Sequence, residues 1–104
     1  MIIVAGRAEA DPAKLAGMKD ALQAMMQATW EESGCLSYSL AIENEGGING
    51  PAVLSIFERW ESEASLKAHF KAPHMAAFNK AAAGAILSLD VKLYDVTGER
   101  ELAI

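Results

Sequence analysis

The two imidazoles of this chain, His69 and His74, stand five positions apart in the stretch from Phe57 to Phe78. Such a pair can ligate a metal, supply a base with a helper, or pack in a helix with no chemistry at all. Metal ligation needs both rings on one face, as in H-E-x-x-H, where they are four apart. Five positions turn the second ring about 140° from the first on a continuous helix. Pro73 interrupts that helix in any case. Glu58, Glu61 and Glu63 are close in sequence, but no spacing compels them to converge with the imidazoles. No metal site is expected.

His69 carries the sharper expectation. Leu66, His69 and Phe70 stand at i, i+3 and i+4, so His69 lies on or beside the apolar stripe of its helix. An uncharged imidazole so placed suits a general base. The competing reading is a ring that packs and bonds a backbone carbonyl. His74 opens the next helical piece, where a capping or surface role is the simpler one. Trp60 is either a core residue or the flat wall of an aromatic-ligand pocket. Met18, Met25 and Met26 read as core filler. The lone Cys35 reads as a buried, inert thiol that has no internal disulfide partner. Gly46, Gly47 and Gly50 fall in a connection between two strands, so they do not form a phosphate cradle.

Composition narrows the ligand. A chain of 104 residues with 52% hydrophobic residues is expected to be one globular domain, residues 1–104. Its net charge is −5 and its pI about 4.9. That balance argues against nucleic acid and anionic membrane surfaces as partners, because both recruit Lys and Arg. A small neutral or apolar molecule fits better. With no apolar run of membrane length and no basic leader before Met1-Ile2-Ile3-Val4, a cytoplasmic protein is expected.

The elements that must position these residues follow from periodicity. Ile2 to Glu9 reads as a strand. Asp11-Pro12 opens a helix through Leu15, Met18, Leu22, Met25, Met26 and Thr29, closed by Gly34. Cys35 to Glu43 alternates with period two, Leu36, Tyr38, Leu40 and Ile42 on one face. Ala52 to Trp60 is a third strand, with Leu54, Ile56 and Trp60 opposite Val53 and Phe57. A helix from Ser62 breaks at Pro73 and resumes to Ala83. Ile86 to Val96 is a last strand, with Leu87, Leu89, Val91 and Leu93 opposite Tyr94 and Val96. The order predicts an α+β, ferredoxin-like βαββαβ fold with a four-stranded antiparallel sheet. Two helical layers cover only one sheet face, and Phe57 or Tyr94 on the other would sit in water. A second copy packed across a two-fold axis is the simplest cover, so a homodimer through sheet faces is expected.

Gly34-Cys35-Leu36-Ser37-Tyr38-Ser39-Leu40, Phe57-Glu58-Arg59-Trp60-Glu61-Ser62, Leu66-x-x-His69 and Pro73-His74-Met75-x-x-Phe78 together resemble the antibiotic biosynthesis monooxygenase domain family. The resemblance is strongest from Gly34 to Phe78, and most recognisable in Glu58-x-Trp60-Glu61 followed by the helix histidine. It implies a ferredoxin-like monomer that dimerises into an α/β barrel. It also implies oxygenation of a small phenolic or quinol substrate by O₂ with no cofactor: no metal, flavin or haem. Carried over by position, His69 would be the base or phenolate partner, with Trp60, Phe70 and Tyr38 as pocket walls and His74 as a second helper. A haem-degrading branch of the same fold places an iron-ligating histidine where this chain has Asn79, which disfavours haem cleavage but leaves haem binding through His69 or His74 open. A non-catalytic, stress-associated barrel that binds a small molecule is the other alternative.

Overall fold

Strand β1 (Ile2–Ala10) is an interior strand of the sheet: Ile2, Val4, Gly6, Ala8 and Ala10 make one face wholly small or apolar, and Arg7 and Glu9 stand on the other. Strand β3 (Ala52–Trp60) pairs with it antiparallel along its whole length, from Ile2 opposite Trp60 to Ala10 opposite Ala52. Strand β4 (Ile86–Asp95) pairs with the other edge of β1, and β2 (Cys35–Asn44) with the far edge of β3. The strand order is β2-β3-β1-β4. A computed structural model, which describes all 104 residues, therefore has the expected ferredoxin-like α+β arrangement, with its second helical region in two pieces.

Helix α1 (Pro12–Trp30) starts where Asp11 accepts a bond from the Ala13 N–H at 2.9 Å and Pro12 fills a position that needs no donor. Leu15, Met18, Leu22, Met25 and Thr29 are its buried stripe. The helix ends at Trp30, earlier than Gly34 suggests. Residues 31–34 form a tight turn instead, and Gly34 leaves it with φ +85°. Any Cβ at Gly34 would collide with Ser65 Oγ, so the turn lies directly against the next helix. That helix, α2 (Glu63–Phe70), is capped by Ser62, whose hydroxyl accepts from the Ser65 N–H at 3.2 Å. Helix α3 (Pro73–Ala81) follows after an extended residue, Ala72. No helix is long and apolar enough to cross a membrane.

Two leucines depart from simple alternation. The pairing with β3 jumps from Cys35 opposite Trp60 to Ser37 opposite Arg59, so Leu36 is an extra residue and stays exposed. Cys35, not Leu36, packs on the core beside Trp60. On β4 the pairing jumps from Ile86 to Ser88, which leaves Leu87 outside the inward phase of Leu89, Val91 and Leu93. The sheet face without helices carries Ile3, Phe57 and Tyr94, the last two 41% and 50% exposed.

Candidate functional site

Between α2, α3 and the sheet lies a cavity of about 740 Å³, with 18 of its 24 lining residues hydrophobic. That volume suits a small organic molecule. The inward phases of the strands make its floor. One rung runs straight across the sheet, Tyr38 opposite Glu58, Glu58 opposite Val4, and Val4 opposite Leu93, and all four line the cavity. The next rungs are apolar: Leu40, Ile56 and Val91, then Leu54, Ala8 and Leu89. Leu66, Phe70, Met75 and Phe78 come from the helices.

Glu58 is the polar exception on that floor, 8% exposed. The Trp60 Nε1–H donates to its Oε1 at 2.9 Å. Burial holds the Glu58 carboxyl above its ordinary range, although the Trp60 bond and the charge of His69 pull the other way. Burial likewise pushes the Tyr38 phenol well above the usual tyrosine value, with the charges of Glu58 and Glu32 adding to it. The Cys35 thiol is raised by burial and then by Glu32 and Glu58, which leaves it a poor nucleophile.

His69 and His74 are brought together, contrary to what their spacing predicts. Glu32, in the turn after α1, places Oε2 2.6 Å from His69 Nδ1 and 2.8 Å from His74 Nε2. The two rings are 5.8 Å apart. The expected divergence applies to a continuous helix; here the chain stops after Phe70, extends at Ala72 and restarts at Pro73, which swings His74 back over the turn. The ligating atoms of Glu32, His69 and His74 lie within 4.8 Å of one another, a donor set that one divalent ion could share. As they stand, the two nitrogens sit at hydrogen-bonding distance from a single oxygen.

His69 is completely buried, and its Nε2 has no partner. Its ring packs 5.0 Å from Trp60 and 5.1 Å from Tyr38, centre to centre. Of the residues expected to form the site, Tyr38 and Phe70 line the cavity; His69, Trp60 and His74 do not. Trp60 is 0% exposed and stands behind the cavity wall, bonded to Glu58 and packed edge-on against Tyr38. Two residues escape sequence reasoning. Glu58 has a signal, since it shares the inward phase of Leu54, Ile56 and Trp60 and is the only acid in it. Glu32 has none, being one of two adjacent acids in a helix-terminal turn.

The sequence profile of the antibiotic biosynthesis monooxygenase family matches residues 1–81. The chain belongs to this family. A curated relative, the "Probable quinol monooxygenase YgiN" of Escherichia coli K12, is 31% identical over 67 residues, which is 61% of this chain. The match spans 64% of that relative's own length, just under two thirds. Among solved structures, a Deinococcus radiodurans protein described under the same family name superposes with TM-score 0.80 at 22% identity, over 99% of both chains. Rv0793 of Mycobacterium tuberculosis superposes with TM-score 0.77 at 25% identity, over 96% of this chain and 98% of its own. The antibiotic biosynthesis monooxygenase fold thus accounts for the whole sheet and all three helices.

Proposed function

We propose that the protein is a cofactor-independent monooxygenase that oxidises a small quinol or phenol with O₂. One observation carries this reading: a large apolar cavity whose buried polar side chains are one carboxyl and one phenol, Glu58 and Tyr38, side by side on its floor. Membership of the monooxygenase family and the likeness to a protein described as a quinol monooxygenase support it.

The chemistry fits such a cavity. Loss of the phenolic proton gives an electron-rich anion, which passes one electron to O₂ and leaves a phenoxyl radical beside superoxide. Their recombination forms a carbon–oxygen bond at a ring carbon that carries hydrogen. Cleavage of the O–O bond with loss of water then leaves a carbonyl, so quinol and O₂ become hydroxyquinone and water. The apolar walls admit both reactants and strip water from the anion. Phe70, 57% exposed at the mouth, offers a ring face to the substrate.

Oxygen uptake with a panel of substituted hydroquinones tests this reading. Uptake above autoxidation that saturates with quinol is expected; uptake equal to that of buffer overturns it. A protein that is thermally stabilised by quinols without turnover is the non-catalytic binder instead.

The same proposal includes a homodimer. Phe57 and Tyr94 flank Ile3 and Ala5 on the sheet face that no helix covers, and a second copy removes them from water. Sedimentation equilibrium is expected to return twice the 11.1 kDa chain mass. Phe57→Lys should shift it toward the monomer, and a wild-type monomer at all concentrations overturns the dimer.

A further inference from the structure

We propose that Glu58, rather than either imidazole, is the group that meets the substrate hydroxyl and takes its proton. The inference rests on the oxygenase reading for its substrate class, and on the cavity's geometry for the residue. A phenolic O–H in an otherwise apolar chamber seeks the acceptor it can reach. His69 Nε2 has no partner, but it is fully buried and its residue does not line the cavity. A substrate atom reaches it only if the rings packed around it, Tyr38 and Trp60 among them, give way. His74 is occupied with Glu32 and also stands outside the lining.

Glu58 meets each requirement the imidazoles miss. It lines the cavity floor beside Tyr38, and the Trp60 N–H fixes one of its oxygens at 2.9 Å. Its other oxygen, Oε2, takes no hydrogen bond from the protein, and the only fully buried side-chain atom left without a partner is His69 Nε2. Oε2 is therefore open to a bound molecule. The remaining charged side chains of the lining, Glu63, Lys67 and Lys92, are surface groups, and Lys67 is paired with Glu63 at 3.6 Å. In the step assigned here the substrate O–H bond breaks, an O–H bond forms on Oε2, and the electron pair stays on the phenolate oxygen. A carboxyl held above its ordinary range by burial is a stronger base for that transfer. His69 on α2 and Glu32 in the turn after α1 bear on its charge state; Tyr38 and Cys35 on β2 feel its charge in turn, and Glu63, Lys67 and Lys92 stand at the rim.

The probe is 4-nitrophenol, whose absorbance distinguishes phenol from phenolate, with 4-nitroanisole as the control that lacks the hydroxyl. Bound to the wild type, the probe shares a proton with Glu58, and losing that proton leaves two anions side by side. Its ionisation midpoint should therefore rise by about one pH unit or more. Glu58→Gln, which still accepts from Trp60, should bind the probe and return the midpoint to its free value. Glu58→Asp, which keeps the charge, should retain part of the shift. With a quinol that turns over, Glu58→Gln should lower kcat by roughly 10²–10⁴-fold and remove the acid limb of the pH profile.

The outcomes separate the two readings. A Glu58-dependent shift without quinol oxidation upholds Glu58 as the hydroxyl partner and overturns the oxygenase. Oxidation by the wild type with neither shift nor rate altered in Glu58→Gln overturns Glu58 alone. A protein that binds neither the probe nor any quinol overturns both.

Discussion

His69 Nδ1 stands 2.6 Å from Glu32 Oε2, a contact between residues 37 positions apart that ties helix α2 to the turn after α1. A carboxylate only accepts, so the Nδ1–H donates and the uncharged ring carries its bare lone pair at Nε2. That is the cheaper orphan, since a buried N–H left without an acceptor costs more than an unused lone pair on a packed ring. The expected result is a nitrogen NMR spectrum with Nδ1 protonated and Nε2 bare for His69 in the uncharged state. The opposite tautomer would show that the Glu32 contact does not order the ring.

Removing the carboxylate strands two ring nitrogens at once. Glu32→Ala should destabilise the protein by about 1.5–3 kcal/mol, the usual worth of a hydrogen bond to a charged group, counting His69 first and the partly exposed His74 less. Urea unfolding measures it. A double-mutant cycle with His74→Ala should show coupling, because both bonds end on one oxygen. Purely additive effects would mean that His74 merely lies near Glu32.

The strands are legible in the sequence because period-two alternation reports directly on burial, and Ala52–Trp60 reads correctly to its ends. Alternation misplaces Leu36 and Leu87 because a bulge moves one residue without altering the pattern around it. The spacing of His69 from Leu66 puts it correctly on the buried stripe, whereas Phe70, expected beside it, is exposed at the cavity mouth. For His74 spacing misleads, because it describes one helix; Pro73 announces the break, but the direction in which the chain restarts is a tertiary fact. Glu58 is easily passed over, since acids usually stand at the surface. Its strand phase says otherwise, and only the sheet register shows that Tyr38 stands beside it.

Glu58 should make stability depend on pH. Burial raises its folded value above the unfolded one, so between the two the native state holds the proton more tightly. Stability therefore falls as pH rises through that window, and the cost is absent below it, where both states are protonated. Glu58→Gln should match the wild type near the bottom of the carboxylate range and melt higher than it at neutral pH. Equal melting temperatures at neutral pH would show that the Trp60 bond and the His69 charge cancel the burial.

Tyr38 acts at the alkaline end with the same sign. Its folded value is also raised, so its contribution is intact below the ordinary tyrosine range and is lost as pH climbs beyond it, where the unfolded chain ionises and the native one does not. That single proton steepens the loss of stability by about 1.4 kcal/mol per pH unit. Tyr38→Phe should flatten the stability profile above about pH 10 by this amount. Parallel profiles would mean that the Tyr38 hydroxyl reaches water from the cavity and ionises in the native state.

Two glycines give opposite expectations from one substitution. At Gly6, in the middle of β1, an added Cβ would collide with the Asp90 carbonyl oxygen and lie 2.7 Å from Val91 Cα, both backbone atoms of β4. Neither can step aside as a side chain would, so Gly6→Ala must push β4 away from β1 and carry Val91 and Leu93 out of the cavity wall. A loss of about 1–3 kcal/mol or more is expected, together with weaker binding of any cavity ligand. At Gly17, on the exposed side of α1, nothing lies within 4 Å of where an added methyl would stand, and alanine is the better helix former. Gly17→Ala should therefore stabilise by about 0.5–1 kcal/mol and leave ligand binding unchanged. Thermal melts of the two variants side by side check the register of β1 on β4 independently of any activity. A Gly6→Ala protein as stable as the wild type would mean that the strands stand farther apart than this close approach requires.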